Sequence, residues 1–169
     1  MATFEQIQEA VRQLTRKRLL VGIPQDKDPR PGEPIGNASL GYIHNFGSPA
    51  RNIPARPHLI PGVEKAMDEI KARLSAGAVA ALRGDQDAAL QYMGQAGQAA
   101  VNSVTQMIHD KLEPPLQPQT IARRRIRSKG STYRRKAGAR VPTPPEDVTP
   151  LIDTASYIRS FTWVLRDRP

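Results

Sequence analysis

Cysteine is missing from all 169 residues, which excludes disulfides, thiol nucleophiles and cysteine-based zinc sites. No run of about 18 apolar residues exists, so neither a membrane span nor a membrane partner is expected. The opening stretch MATFEQIQEA has no basic leader and no apolar core, so a secretory signal is not expected. Without export, the glycosylation-like triplet Asn37-Ala38-Ser39 carries no meaning.

Catalytic signatures are missing too. His44, His58 and His109 fall in three separate segments without HxH, HxxxH or HExxH spacing, and they read as ordinary surface or packing histidines. The carboxylates are scattered; Asp68, Glu69, Asp85 and Asp87 fall on exposed helix positions and form no general acid/base pair. Gly94-Gln95-Ala96-Gly97 lacks the GK[ST] ending and the preceding strand of a phosphate-binding loop. No Gly-x-Ser-x-Gly elbow occurs. The expectation is a non-enzyme with no catalytic residues, no cofactor and no metal.

Acidic residues are also missing from one long segment, and there the positive charge collects. Between Ile121 and Val141 stand Arg123, Arg124, Arg125, Arg127, Lys129, Arg134, Arg135, Lys136 and Arg140, with no acid among them. The net charge of +9 is therefore carried by this segment alone, since the remaining basic residues balance the 16 acidic ones. Such a concentration reads as a solvated arm that meets something anionic, either nucleic acid phosphates or an acidic protein surface. Tyr133 is the one residue in it suited to base stacking, which argues against sequence-specific recognition.

What is present organises as follows. Thr3 to Arg18 reads as an amphipathic helix with Phe4, Ile7, Val11 and Leu14 on one face, capped by Thr3 and Gln6. Leu19 to Ile23 reads as a short buried strand stopped by Pro24, and Gln25 to Pro34 as an exposed loop. Asn37 to Phe46 reads as a short helix with Leu40, Ile43 and Phe46 (or Phe46 with Tyr42) on one side and Gly47 as its stop. The stretch Ser48 to Pro57 is too rich in proline for a helix or an inner strand.

A longer helix is expected from about Pro61, with Val63, Met67, Ile70 and Leu74 as its stripe. Asp85 can cap another reaching to about Leu112, with Leu90, Met93, Gly97, Val101, Val104, Ile108 and Leu112 on one face. Gly94 and Gly97 would permit close packing there. Thr120 to Ile126 can form a brief helical turn. Asp153 or Thr154 can cap a turn through Arg159, leading into a strand from Ser160 to Arg166. One domain over residues 1–169 is expected, of the α+β class. In it a small β-sheet packs against long helices, and a mobile basic arm covers about 113–150.

Three stretches carry a resemblance. Val21-Gly22-Ile23-Pro24 is followed by Gly41-Tyr42-Ile43-His44-Asn45-Phe46-Gly47-Ser48 and then by Ile53-Pro54-Ala55-Arg56-Pro57-His58-Leu59. Pro115-Leu116-x-Pro118-x-Thr120-Ile121 precedes the basic segment, and Pro150-Leu151-Ile152-Asp153-Thr154-Ala155-Ser156-Tyr157-Ile158-Arg159-Ser160-Phe161-Thr162 follows it. In this order they resemble the signature of the virion-morphogenesis and tail-completion proteins of long-tailed bacteriophages. His58 stands where that family often has phenylalanine, and Ala155 where it often has glycine.

The resemblance implies a structural subunit of the phage neck, made in the host cytoplasm and resident at the head–tail junction of the virion. It would complete the tail and join it to the DNA-filled head as a homo-oligomeric ring of about six copies. Its partners would be other neck and tail proteins, with possible non-specific contact to packaged DNA. Tail terminator or minor head protein is the neighbouring role, and a non-specific DNA-binding module built on the basic arm is the reading from another class. Interface residues expected on this basis are Phe46, Gly47, Ile53, Pro54, Arg56, Pro57 and Asp153. Phe46 would anchor the helix end, and Arg56 would project from a stiff frame to hold a carboxylate, either within the fold as a salt bridge that fixes the loop or on a neighbouring subunit. The candidate ring surfaces are the Gln25–Pro34 loop, the Ser48–Pro57 segment and the basic arm.

Overall fold

The computed structural model describes residues 3–110, 112–118, 120–121, 150–151 and 156–168. The nine basic residues of the arm, Asp153 and Thr154 lie outside that set. The domain is an α+β fold in which a small two-stranded sheet rests on long helices.

Helix α1 spans Phe4–Arg16 and opens with a reciprocal capping box. The Thr3 hydroxyl accepts from the Gln6 amide at 3.3 Å, and the Gln6 side chain accepts from the Thr3 amide at 2.9 Å. Lys17 is already extended, so α1 runs without a loop into β1, Lys17–Gly22. β1 pairs antiparallel with β2, Thr162–Asp167, in a register from Lys17↔Asp167 to Gly22↔Thr162. An ion pair from Lys17 to Asp167 at 2.7 Å marks the outer end of the ladder.

Between the strands lie α2 (Asn37–Phe46), α3 (Leu59–Lys65), α4 (Met67–Leu82) and α5 (Gln86–His109), and a short α6 (Ser156–Arg159) precedes β2. The Asp85 carboxylate accepts from the Ala88 amide at 2.9 Å and starts α5, which becomes the central element. Ala96 and Ala100 on one side of α5 meet Ile70 of α4, together with Leu19 and Val21 of β1. Farther along, Val101, Val104 and Ile108 join Leu151, Tyr157, Ile158 and Phe161 in the main core. Each such aliphatic side chain contributes about 1.5–3 kcal/mol through burial.

The sheet reaches α5 through Trp163, whose indole lies over Gly94 and Gly97. A Cβ on Gly97 would stand 2.5 Å from the Trp163 Cγ, so the close packing expected of these glycines is what brings strand and helix together.

Several elements depart from the sequence reading. The expected helix from Pro61 is two helices, with α3 starting at Leu59 and a break at Ala66, whose amide turns back to the Val63 carbonyl at 3.1 Å. α5 ends at His109 rather than Leu112, and Leu90 and Leu74 are exposed. β1 begins at Lys17, and only its inward residues Leu19 and Val21 pack on the helices, leaving Leu20 exposed on the open face.

The largest departure is α1. Its apolar stripe does not line the core: Phe4 is 73% exposed, and Ile7 and Val11 are exposed as well. Ala10 makes the contact instead, against Ala81 and Ala89, with Leu14 beside it. An alanine seam lets α1 come close to its neighbours. The bulkier residues of the stripe then remain outside the contact.

Candidate functional site

The segments that carry the resemblance are far apart in sequence and come together around one cleft. α2 is placed first. The Asp28 carboxylate accepts from the Ala38 amide at 2.7 Å, and the Asn37 side chain donates to the Lys27 carbonyl at 3.0 Å, which seats the start of the helix on the preceding turn. The expected Gln25–Pro34 loop is thus partly tied down, with a 3-10 turn at Gln25–Lys27.

At the far end of α2, Gly47 takes φ 78°, a conformation that side chains disfavour. It also has no room for one, since a Cβ there would stand 2.8 Å from the Ala55 amide nitrogen. The Ser48–Pro57 segment folds back across this point. Ser48 and Ile53 exchange main-chain hydrogen bonds at 2.8 and 3.0 Å, and the Arg56 amide donates to the His44 carbonyl at 2.7 Å.

The proline-framed Ile53–Pro57 stretch sets Arg56 inward, and His58 follows it. Arg56 is only 5% exposed, and it donates from Nε to the Pro114 carbonyl at 2.8 Å and from NH2 to the Pro115 carbonyl at 3.0 Å. The planar fork braces two consecutive main-chain carbonyls. Arg56 is therefore an internal strut of the subunit, joining the Ile53–Pro57 stretch to the Pro115 element.

His58 is 1% exposed and its ring is fixed at both nitrogens. Nδ1 lies 2.7 Å from the Arg56 carbonyl, which can only accept, so Nδ1 carries the proton. Nε2 is then the acceptor for the Tyr157 hydroxyl at 2.5 Å. Burial lowers the His58 pKa, against a smaller opposing effect of its bond to the Arg56 carbonyl, and so favours this neutral form. Burial likewise raises that of Tyr157.

Tyr157 packs edge-on to His44, His58 and Phe161. Its hydroxyl lies close to Gly41, where a Cβ would approach it to 2.9 Å. His44 and His58 are packing histidines, as the spacing indicated, and His109 is exposed. Among the described residues no group of His, Asp or Glu could hold a metal ion.

Above this floor opens a cleft of about 260 Å³, lined by Gly22 and Ile23 from β1 and its exit, Ala38 to Phe46 from α2, and His58 to Ile60 at the start of α3. Tyr157 and Phe161 close its base. The rim is apolar and open to solvent: Tyr42 is 67% exposed, Phe46 60% and Ile60 58%. Phe46 does not anchor the helix end, as expected; it stacks against Tyr42 at 4.8 Å between ring centres and faces outward. The inward side of α2 is supplied by Leu40, which packs on the main core.

Of the expected interface residues, Phe46 stands on the rim, with Gly47 half-buried beside it. Ile53 and Pro54 are half-buried, Pro57 is exposed and Arg56 is internal. Asp153, with Arg123, Arg124, Arg125, Arg127, Lys129, Arg134, Arg135, Lys136 and Arg140, lies outside the described residues. Tyr42, His58, Ile60 and Tyr157 were missed as a group. Gly41, which precedes the Tyr42 motif, was the available signal of a close approach.

A larger trough of about 670 Å³ runs beside α4 and α5, but it is lined by polar side chains such as Lys65, Gln98 and Asn102 that solvent serves well. Its charged groups pair locally, Arg73 with Gln95 at 2.9 Å and with Glu69 at 3.6 Å. Among the described residues no helix is long and apolar enough to cross a membrane. No protein-family model, curated protein or solved structure matches the chain.

Proposed function

We propose that this chain is a structural subunit of the neck of a long-tailed bacteriophage, completing the tail and joining it to the DNA-filled head as a homo-oligomeric ring. The reading begins from the sequence resemblance, and one structural observation supports it. The resembling segments other than the Pro115 element, separated by up to about 140 positions, contribute to an open apolar cleft with three large exposed side chains at its rim. A contiguous exposed apolar surface of this kind costs solubility unless something covers it, and protein association is the ordinary use. The work of such a chain is binding, with other neck and tail proteins as its partners in the virion.

The experiment is electron microscopy of lysates from a phage lacking this one gene, beside a complemented control. DNA-filled heads accumulating next to separate tails is the expected result. Overlong tails would move the role to tail termination, and normal infectious particles would overturn the reading.

A second reading rests on the charge, since nine basic residues without an acid fall between Ile121 and Val141. As a non-specific DNA binder, the chain would lose affinity for duplex DNA by about 10³–10⁵ between 50 and 200 mM salt if six to ten phosphates were contacted. Binding that hardly changes when those nine residues are replaced would sink it.

A further inference from the structure

We propose that the exposed stripe of α1 from one copy docks in the Tyr42–Phe46–Ile60 cleft of the next, making the head-to-tail contact of the ring. The inference rests on the neck-subunit reading and names its interface. Two exposed apolar surfaces of opposite shape occur among the described residues. One is a ridge, with Phe4, Ile7 and Val11 at the spacing by which an amphipathic helix enters a groove. The other is a concavity, whose rim is Tyr42, Phe46 and Ile60.

Neither surface is covered by the other within one molecule. α1 packs on α4 and β1, while the cleft is made chiefly by α2, the start of α3 and α6. Phe4 and Phe46 both remain well exposed. Two different faces that satisfy each other are what a heterologous, ring-closing contact requires.

Charge selects the same pairing. The stripe is flanked by Glu5 and Glu9, with no basic residue before Arg12. The cleft segment has no acid from Pro34 to Val63, Arg51 stands in the turn just beyond Phe46 and Gly47, and the neighbouring Asp28 carboxylate is engaged by the Ala38 amide.

The absence of cysteine makes the test direct. Full-length Ile7→Cys/Ile60→Cys is oxidised and run on a non-reducing gel, beside each single variant and a mixture of the two. Both positions are solvent-exposed, so the substitutions leave the core intact, and circular dichroism verifies the fold. The expected result is a ladder of covalent oligomers from the double variant and a heterodimer from the mixture, with little product from either single variant. Cross-linking of Ile7→Cys with itself as fast as with Ile60→Cys would overturn the proposal in favour of a symmetric stripe-to-stripe contact. No linkage in any sample would overturn it outright.

Sedimentation of the wild-type chain separates this failure from that of the broader reading. An oligomer that forms while the cysteine pair stays unlinked removes the docking and leaves the ring. Micrographs of the gene deletion judge the neck role independently of solution assembly.

Discussion

Replacing Gly97 with alanine adds one methyl group at the tightest point between α5 and the sheet. The new Cβ would stand 2.5 Å from Trp163 Cγ and 2.8 Å from its Cβ and Cδ2. These atoms belong to the near end of the side chain, so the indole cannot swing clear without moving β2. Overpacking of this kind costs about 1–3 kcal/mol, and alanine returns about 1 kcal/mol in helix propensity. A net loss of up to about 2 kcal/mol follows.

Gly94 provides the control. An added Cβ there meets the far edge of the same ring, at 3.0 Å from Cη2, and a small tilt of the indole relieves it. Gly94→Ala is expected within about 0.5 kcal/mol of wild type, the propensity gain offsetting the contact. Trp163 is the chain's single tryptophan, so urea unfolding followed by its fluorescence reads the site itself. At roughly 2–4 °C per kcal/mol, Gly97→Ala should melt several degrees below Gly94→Ala. Equal stabilities, or a more stable Gly97→Ala, would mean that the indole does not sit on Gly97 and would refute the β2–α5 packing.

Three further outcomes are expected. Tyr157→Phe removes the donor to the buried His58 Nε2 and should cost about 1–3 kcal/mol, whereas Tyr157→Phe/His58→Phe should cost less than the sum of the single changes; additive losses in urea titrations would deny the hydrogen bond. Because burial lowers the His58 pKa in the fold, the unfolded chain binds a proton more readily, so its contribution to stability is complete above pH 6.5 and is lost as pH falls below that value. Urea midpoints measured from pH 7.5 to 5 should fall more in wild type than in His58→Phe, and equal slopes would remove His58 as the cause. Arg56→Lys loses the fork held by the Pro114 and Pro115 carbonyls and should lower stability by about 1–3 kcal/mol, and a neutral result in thermal melts would show that the brace is dispensable.

Local chemistry was legible where a residue type permits few alternatives. Gly47 stops α2, Asp85 starts α5, and Gly94 with Gly97 marks a close approach whose partner could not be named. What stayed hidden was the choice of partner. The periodicity of α1 correctly gave an amphipathic helix, but whether Phe4 or Ala10 meets the protein depends on the alanines at positions 81 and 89. The break at Ala66 has no proline or glycine of its own to announce it. Arg56 was recognisable as a held guanidinium, yet the two carbonyls it braces, of Pro114 and Pro115, are main-chain groups, which every sequence contains. The cleft floor joins His58 to Tyr157 across 99 positions, a pairing that no local pattern encodes.

The strand pairing has a consequence for the order in which the molecule becomes complete. Gly22 and Thr162 are neighbours across the ladder although about 140 positions separate them. Closing so long a span costs about 4 kcal/mol in chain entropy before any contact rewards it, whereas the α4–α5 hairpin needs only a three-residue turn. The hairpin can therefore nucleate early and the sheet late. α1 is seated by its alanine contact with α4 and α5, but Tyr157 and Phe161 stand just ahead of β2 and come into place only with it. A half-folded chain would therefore lack the base of the cleft and present its apolar rim over an unfinished floor.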